Sequence, residues 1–169
     1  SRRELHGRCV VVTGAAGGLG SALCERYAAA GAKVAALDLD GARAESLAAK
    51  LRAQGAHAVA FACDIVDEAA CSAAITQVQA ALGGIDLLVN NAGISARLLL
   101  RDATPDIARR VMAVNYFGAL HATHAALPAL IQRRGQIVVV SSVAGFAPLV
   151  GRTAYAASKH ALHGFFDSL

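Results

Sequence analysis

No two of the four cysteines, Cys9, Cys24, Cys63 and Cys71, form a CxxC pair, and all fall inside apolar segments. That distribution offers neither a metal-ligand spacing nor a disulfide framework, and it reads as small buried hydrophobes in a reducing compartment. Charge is also scarce: 17% of the 169 residues are charged against 56% hydrophobic, which excludes disorder and predicts one packed domain. The net charge is +4, but the basic residues are scattered apart from Arg2-Arg3, Arg109-Arg110 and Arg133-Arg134. Without interleaved aromatics they do not form the clustered surface that nucleic acid requires. No apolar run approaches the ~18 residues of a membrane span, and the opening SRRELHGRCV lacks the apolar core of a signal peptide. The expectation is a cytoplasmic protein with no nucleic-acid or membrane partner. Nothing marks a linker, a repeat or a second domain.

What is present is an alternation. Five short apolar runs, Cys9–Val12, Val34–Leu37, Ala58–Cys63, Ile85–Val89 and Ile137–Val140, are too short for typical helices and lack polar alternation, as expected of parallel strands covered on both faces. Between them, Cys71, Ile75, Val78 and Leu82 share one helical face, and Leu47 and Leu51 mark another at a spacing of four. Gly31, Gly55 and Gly83 fall where helices should stop. Thr104 suits an N-cap and Pro105 the first helical position, while Pro128 should bend or interrupt the later part of that helix. Right-handed crossovers then predict an α/β, Rossmann-like doubly wound sheet with strand order 3-2-1-4-5.

The first strand ends in VVVTGAAGGLG, residues 10–20, which devotes four of the seven positions after Thr13 to glycine. Placed between a strand and a helix, this turn can offer the amides of a helix N-terminus to a pyrophosphate. Gly14 would make the turn, Gly18 would allow close approach, and Gly20 would let helix and strand pack.

The glycine spacing is TGxxxGxG, and with CDI at 63–65, NNAG at 90–93, VNYFG at 114–118, SSVAG at 141–145 and YAASK at 155–159 the chain resembles the short-chain dehydrogenase/reductase family. The resemblance implies that the turn from Gly14 to Gly20, with Ala16, Gly17, Gly18 and Leu19, holds the phosphates of a dinucleotide. It implies that Asp64 and Ile65 border the adenine and that Asn91, Ala92 and Gly93 line the nucleotide side of the sheet. Asn115, Ser142, Tyr155 and Lys159 match the family's catalytic tetrad, with Lys159 also holding the nicotinamide ribose beside Tyr155 and Asn115 joining Lys159 to solvent through a water.

The chemistry suits those residue types. Hydride transfer to a carbonyl needs a proton delivered to oxygen, and the reverse needs it removed. A phenol does either when nearby positive charge favours its ionised form, and Lys159 follows Tyr155 by four residues, on one helix face. Ser142 can hydrogen-bond the substrate oxygen. Asp38, ending the second strand, can accept from adenosine ribose hydroxyls but repels a 2′-phosphate, and residues 15–17 carry no basic side chain, so NAD is expected in preference to NADP. Arg43, the one nearby cation, is expected to pair with an acid or face solvent. His121/His124 and His160/His163 have helical spacing without a carboxylate partner motif, so no metal site is expected.

The expected protein is thus a single NAD(P)-binding domain over 1–169, lacking the C-terminal strands of the family fold. It would be an NAD-dependent enzyme acting on a small-molecule alcohol or ketone, a dimer or tetramer of identical chains when complete. The alternative is a non-catalytic dinucleotide-binding or interaction module. Two more strands and a substrate loop follow the Tyr/Lys helix in the family, so a bare chain whose sheet ends at strand five is expected to leave an apolar edge that favours association and to show no substantial turnover by itself.

Overall fold

Three consecutive valines in β1 (Cys9–Thr13) send side chains to both faces of a sheet, and all five residues of the strand are buried. The computed structural model describes residues 5–169, so the Arg2-Arg3 pair lies outside the described residues. In it β1 pairs in parallel with β2 (Lys33–Asp38) on one side and β4 (Leu87–Asn90) on the other, with β3 (Ala58–Ala62) beyond β2 and β5 (Gln136–Val139) beyond β4. The order is β3-β2-β1-β4-β5, as the alternation predicts.

The helices complete two layers. Val10, Val12, Val34 and Ala36 pack with Cys24 of α1 (Gly18–Ala29) and with Ala44, Leu47 and Leu51 of α2 (Gly41–Ala53). Val11, Ala35, Leu37 and Leu88 meet Cys71, Ile75, Val78 and Leu82 of α3 (Glu68–Leu82), together with Ala122 and Ala126 of α5 (Gly118–Arg133). The helical faces read from the sequence are therefore the buried ones, and each fully buried aliphatic side chain contributes about 1.5–3 kcal/mol. Gly31, Gly55 and Gly83 take positive φ where α1, α2 and α3 stop.

Several expectations shift. The last two strands begin or end a residue or two away from the apolar runs, and among the described residues β5 is paired only by β4. Its residues are alternately exposed and half-buried, because an edge position with one neighbour does not bury an apolar run as β1 is buried. Thr104 sits at the N-cap of α4 (Pro105–Met112) but its side chain makes no capping hydrogen bond. Pro128 lies within α5 without interrupting it. Burial of Ala126, Ala129 and Leu130 around it offsets the roughly 3 kcal/mol that an internal proline costs. The irregularity falls earlier, in a π-helical turn at Ala113–Phe117 that joins α4 to α5 and carries Asn115.

The carboxyl edge of the sheet is shaped by the glycine turn. Gly14 has φ of 63°, and a Cβ there would stand 2.7 Å from Ala92 Cα. A Cβ on Gly20 would lie 2.1 Å from the Gly14 carbonyl oxygen and 2.8 Å from Ala15 Cα, whereas one on Gly18 would meet nothing within 4 Å. Gly20→Ala should accordingly destabilise the chain by about 1–3 kcal/mol through backbone displacement, while Gly18→Ala should leave the urea midpoint unchanged or slightly raised. Equal midpoints for the two variants would contradict the assignment of Gly20 to close packing.

Candidate active site

At the carboxyl ends of β1 and β4 two short polar side chains fix the connecting loops. The Thr13 hydroxyl accepts from the backbone amides of Asn91 and Ala92, each at 3.1 Å. The Asn91 amide group donates to the carbonyls of Thr13 and Gly14 at 2.9 and 3.1 Å. These bonds hold the Gly14 turn against the exit of β4 and open a cleft of about 570 Å³ between them. Gly14, Ala16, Gly17, Leu19, Gly20, Asp38, Asp64, Ile65, Asn91, Ala92, Gly93, Tyr155 and Lys159 all line it. Of the residues expected at the site, Gly18, Asn115 and Ser142 do not.

One end of the cleft is the start of α1. Asp40 and Asp67 cap α2 and α3 through their carboxylates, whereas the N-cap of α1 is Gly17, which has no side chain to offer. The amides of a helix's first turn have no intrahelical acceptor, so here they face the cleft without a side-chain partner. Asp38 lies alongside, accepting from the Ala16 amide at 2.8 Å and the Asp40 amide at 3.0 Å. Arg43 is exposed, as one branch of the expectation had it, but among the described residues it pairs with no acid. Its guanidinium donates to the Ala16 carbonyl at 2.8 Å.

The middle of the cleft is walled by the segment after β3. Asp64 accepts from the Val66 amide at 3.0 Å, and Ile65 is buried against Gly118, where a Cβ would come within 2.5 Å of its Cδ1. His121 reaches the Ile65 carbonyl at 3.0 Å.

The other end is built by α6 (Thr153–Phe166) and the exit of β5. Tyr155 is half-buried, and the Lys159 ammonium lies 5.7 Å from its ring centroid. Lys159 is 4% exposed and donates to the Val140 carbonyl at 2.8 Å; burial holds its pKa below the ordinary lysine value. The Arg152 guanidinium lies 5.9 Å from the same ring and donates to Ser95 at 2.6 Å.

Asn115 sits behind this pair rather than in it. Its side chain accepts from the Ile94 amide at 2.8 Å and donates to the Ile94 carbonyl and to Ser158, both at 2.9 Å. Ser158 in turn donates to the Tyr155 carbonyl at 2.7 Å. Asn115 thus ties the loop after β4 to the helix of Tyr155 and Lys159. Ser142 caps the 3₁₀ turn Val143–Gly145, accepting from the Ala144 amide at 3.2 Å. Its neighbour Ser141 does line the cleft, as Ser95 does, and is hydrogen-bonded to His163 Nε2 at 2.9 Å, with Asp167 3.3 Å from Nδ1 of that ring. The sequence points to Ser142 and carries no local signal for Ser141, whose partner His163 lies 22 positions away. Among the described residues no cluster of three or more His, Cys, Asp and Glu side chains could hold a metal ion.

Comparison with known proteins bears on this geometry. The model of one family, described as short chain dehydrogenase, matches residues 8–169. The dehydrogenase/reductase SDR family member 7B of Bos taurus is 40% identical over 175 residues, covering 99% of this chain and 54% of the relative. A short chain dehydrogenase of Pseudocercospora fijiensis, MYCFIDRAFT_6125, is 38% identical over 169 residues, covering 98% of this chain and 55% of its own. The chain therefore spans about half the length of the curated relatives it matches. Among solved structures, a short chain dehydrogenase/reductase from Burkholderia phymatum in complex with NAD superposes with a TM-score of 0.93 at 30% identity, covering 98% of this chain and 59% of that one. An NAD+-bound xylitol dehydrogenase gives 0.94 at 32% identity, with 98% and 65% coverage.

The arrangement around Asn115 yields a direct test. Asn115→Ala would remove a buried amide together with its bonds to the Ile94 amide, the Ile94 carbonyl and the Ser158 hydroxyl, at a cost of about 1–3 kcal/mol. The expected result is a lowered denaturant midpoint with faster hydrogen exchange at the Ile94 amide. Unchanged exchange there would contradict the bracing role.

Proposed function

The chain belongs to the short-chain dehydrogenase family, and on that premise we propose that it forms the dinucleotide-binding and proton-transfer part of an oxidoreductase. The reaction is hydride transfer between NAD(H) and a secondary alcohol or ketone, with Tyr155 as general acid and base. The observation that carries this reading is a shared cleft: the start of α1, without a side-chain cap, and the Tyr155/Lys159 pair open onto the same cavity.

The residues fit a dinucleotide. Gly14 and Gly20 leave no Cβ where the turn must stay tight, Gly18 leaves open space at the helix start, and the first-turn amides would hold the pyrophosphate with the help of the helix dipole. Asp38 keeps acceptor capacity beyond its two backbone donors, so it would accept from ribose hydroxyls. Asp64 and Ile65 would flank the base. When bound, the nicotinamide supplies or receives the hydride.

The chain's own residues would manage the proton. In the direction of reduction Tyr155 donates its phenolic proton to the substrate oxygen; in oxidation it removes that proton. The Lys159 ammonium, fixed by the Val140 carbonyl, stabilises the negative charge that develops on the phenol oxygen. Ser142 would hydrogen-bond the substrate oxygen once the 3₁₀ turn it caps yields its hydroxyl, while Asn115 and Ser158 keep the Tyr155 helix in register with the loop after β4.

Two measurements test this reading. Tyr155→Phe should leave dinucleotide affinity nearly unchanged and cut turnover by roughly 10²–10⁴-fold, the usual worth of a positioned acid or base; turnover within threefold of the parent would remove Tyr155 from the mechanism. For cofactor choice, the parent should bind NAD more tightly than NADP, and Asp38→Ala should narrow the gap by about 1–3 kcal/mol by relieving repulsion of the 2′-phosphate. Calorimetric titration of both cofactors into both proteins decides it, and a parent that prefers NADP overturns the assignment.

A further inference from the structure

Cys63 and Cys71 are brought together by the turn between β3 and α3. Their sulfurs stand 3.9 Å apart in the interior, and both are free thiols. Cys63 follows the last residue of β3, and although buried it lines the cleft, so a small molecule in the cleft can reach it. Cys71 lies in the first turn of α3, 1% exposed, with no route to solvent of its own. Its sulfur also lies 3.6 Å from the Ile65 carbonyl, the group that His121 reaches from the other side. The two thiols therefore bracket Asp64, Ile65 and Val66, which form the wall of the cleft.

We infer that Cys63 and Cys71 constitute a redox-responsive dithiol site, which closes to an intrachain disulfide on exposure to an alkyl hydroperoxide and thereby reshapes the cleft wall. The inference stands apart from the hydride-transfer reading and needs no cofactor. Three features support it. Proximity is already met: a disulfide requires about 2.05 Å between sulfurs, so the two must close by about 1.9 Å. Roles are distinct: Cys63 alone faces the cleft, and Cys71 alone is shielded behind it. Reactivity is polarised the same way: pairing with the Cys71 sulfur holds Cys63 below the ordinary cysteine value, whereas that pairing together with burial pushes Cys71 up.

The chemistry balances with the hydroperoxide as oxidant. The Cys63 thiolate attacks one peroxide oxygen, the O–O bond breaks, and the alkoxide leaves and takes up the proton that Cys63 released, giving an alcohol and a sulfenic acid on Cys63. The Cys71 sulfur then attacks the Cys63 sulfur. The S–S bond forms, the S–O bond breaks, and hydroxide leaves with the Cys71 proton as water. Two thiols are oxidised by two electrons and the hydroperoxide is reduced to alcohol and water. Cys71 then has no hydrogen to give the Ile65 carbonyl, and closure draws the start of α3 toward the end of β3, so the intervening segment loosens.

The reduced protein, treated with cumene hydroperoxide and mapped by mass spectrometry after digestion, tests this. The expected product is a Cys63–Cys71 linked peptide lighter by two hydrogens, with Cys9 and Cys24 still alkylatable and the loss reversed by dithiothreitol. Cys71→Ser should instead accumulate a sulfenic acid on Cys63 that dimedone traps, and Cys63→Ser should keep all its remaining thiols. In the oxidised form the Val66 and Asp67 amides, both held by Asp64, should exchange about tenfold faster or more, with β2 unaffected. A bond between chains, oxidation spread evenly over the cysteines, or a disulfide with unaltered exchange at Val66 and Asp67 would overturn the proposal.

Discussion

Four hydrogen bonds that join Thr13 and Gly14 to Asn91 and Ala92 are the constraint on which the site depends. β1 and β4 are adjacent parallel strands, and their connections leave in opposite directions along the sheet. That reversal opens a crevice at the carboxyl edge where a ligand can enter. A crevice between two loops keeps its shape only if the loops are tied, and the Thr13 hydroxyl and the Asn91 side chain tie them from both sides. Because these groups are partly buried, an unmade bond among them would carry a desolvation cost, which holds the turn in one conformation. Gly20 then rests against the Gly14 carbonyl, and the start of α1 is fixed at the cleft.

The same logic repeats at the far end. Asn115 binds the loop after β4 to Ser158, and Lys159 binds the end of β5 to α6, so the wall holding Tyr155 is braced by two separate contacts. A lysine this deeply buried costs desolvation free energy, visible in its lowered pKa, and the Val140 carbonyl offsets only part of it. Retaining a strained cation beside a phenol makes physical sense at a proton-transfer site and little sense as a means of stabilising a fold.

Much of this was legible in the residues. Short apolar runs separated by helical faces carried the strand order, because β1, β2 and β4 are nearly all buried and their composition reflects it. The glycine turn was legible because a side chain at Gly14 would meet both a φ of 63° and the Ala92 backbone, and one at Gly20 the Gly14 carbonyl. Less visible were features set by long-range partners. Asn115 carries no local sign that its amide will meet Ile94 and Ser158, residues 21 and 43 positions away. Arg43 gave no sign of turning to a backbone carbonyl instead of an acid, and Pro128 none of being held in a continuous helix by its buried neighbours. Cys63 and Cys71 looked like separate apolar residues because the turn that joins them has no cysteine motif.

The most direct measurement is a crystal structure of the protein grown with saturating NADH. The account expects the pyrophosphate on the amides of residues 17–20, the adenosine ribose on Asp38, and the nicotinamide in the end of the cleft formed by Tyr155 and Lys159. A dinucleotide bound elsewhere, or a cleft that stays without one at saturating concentration, would contradict it.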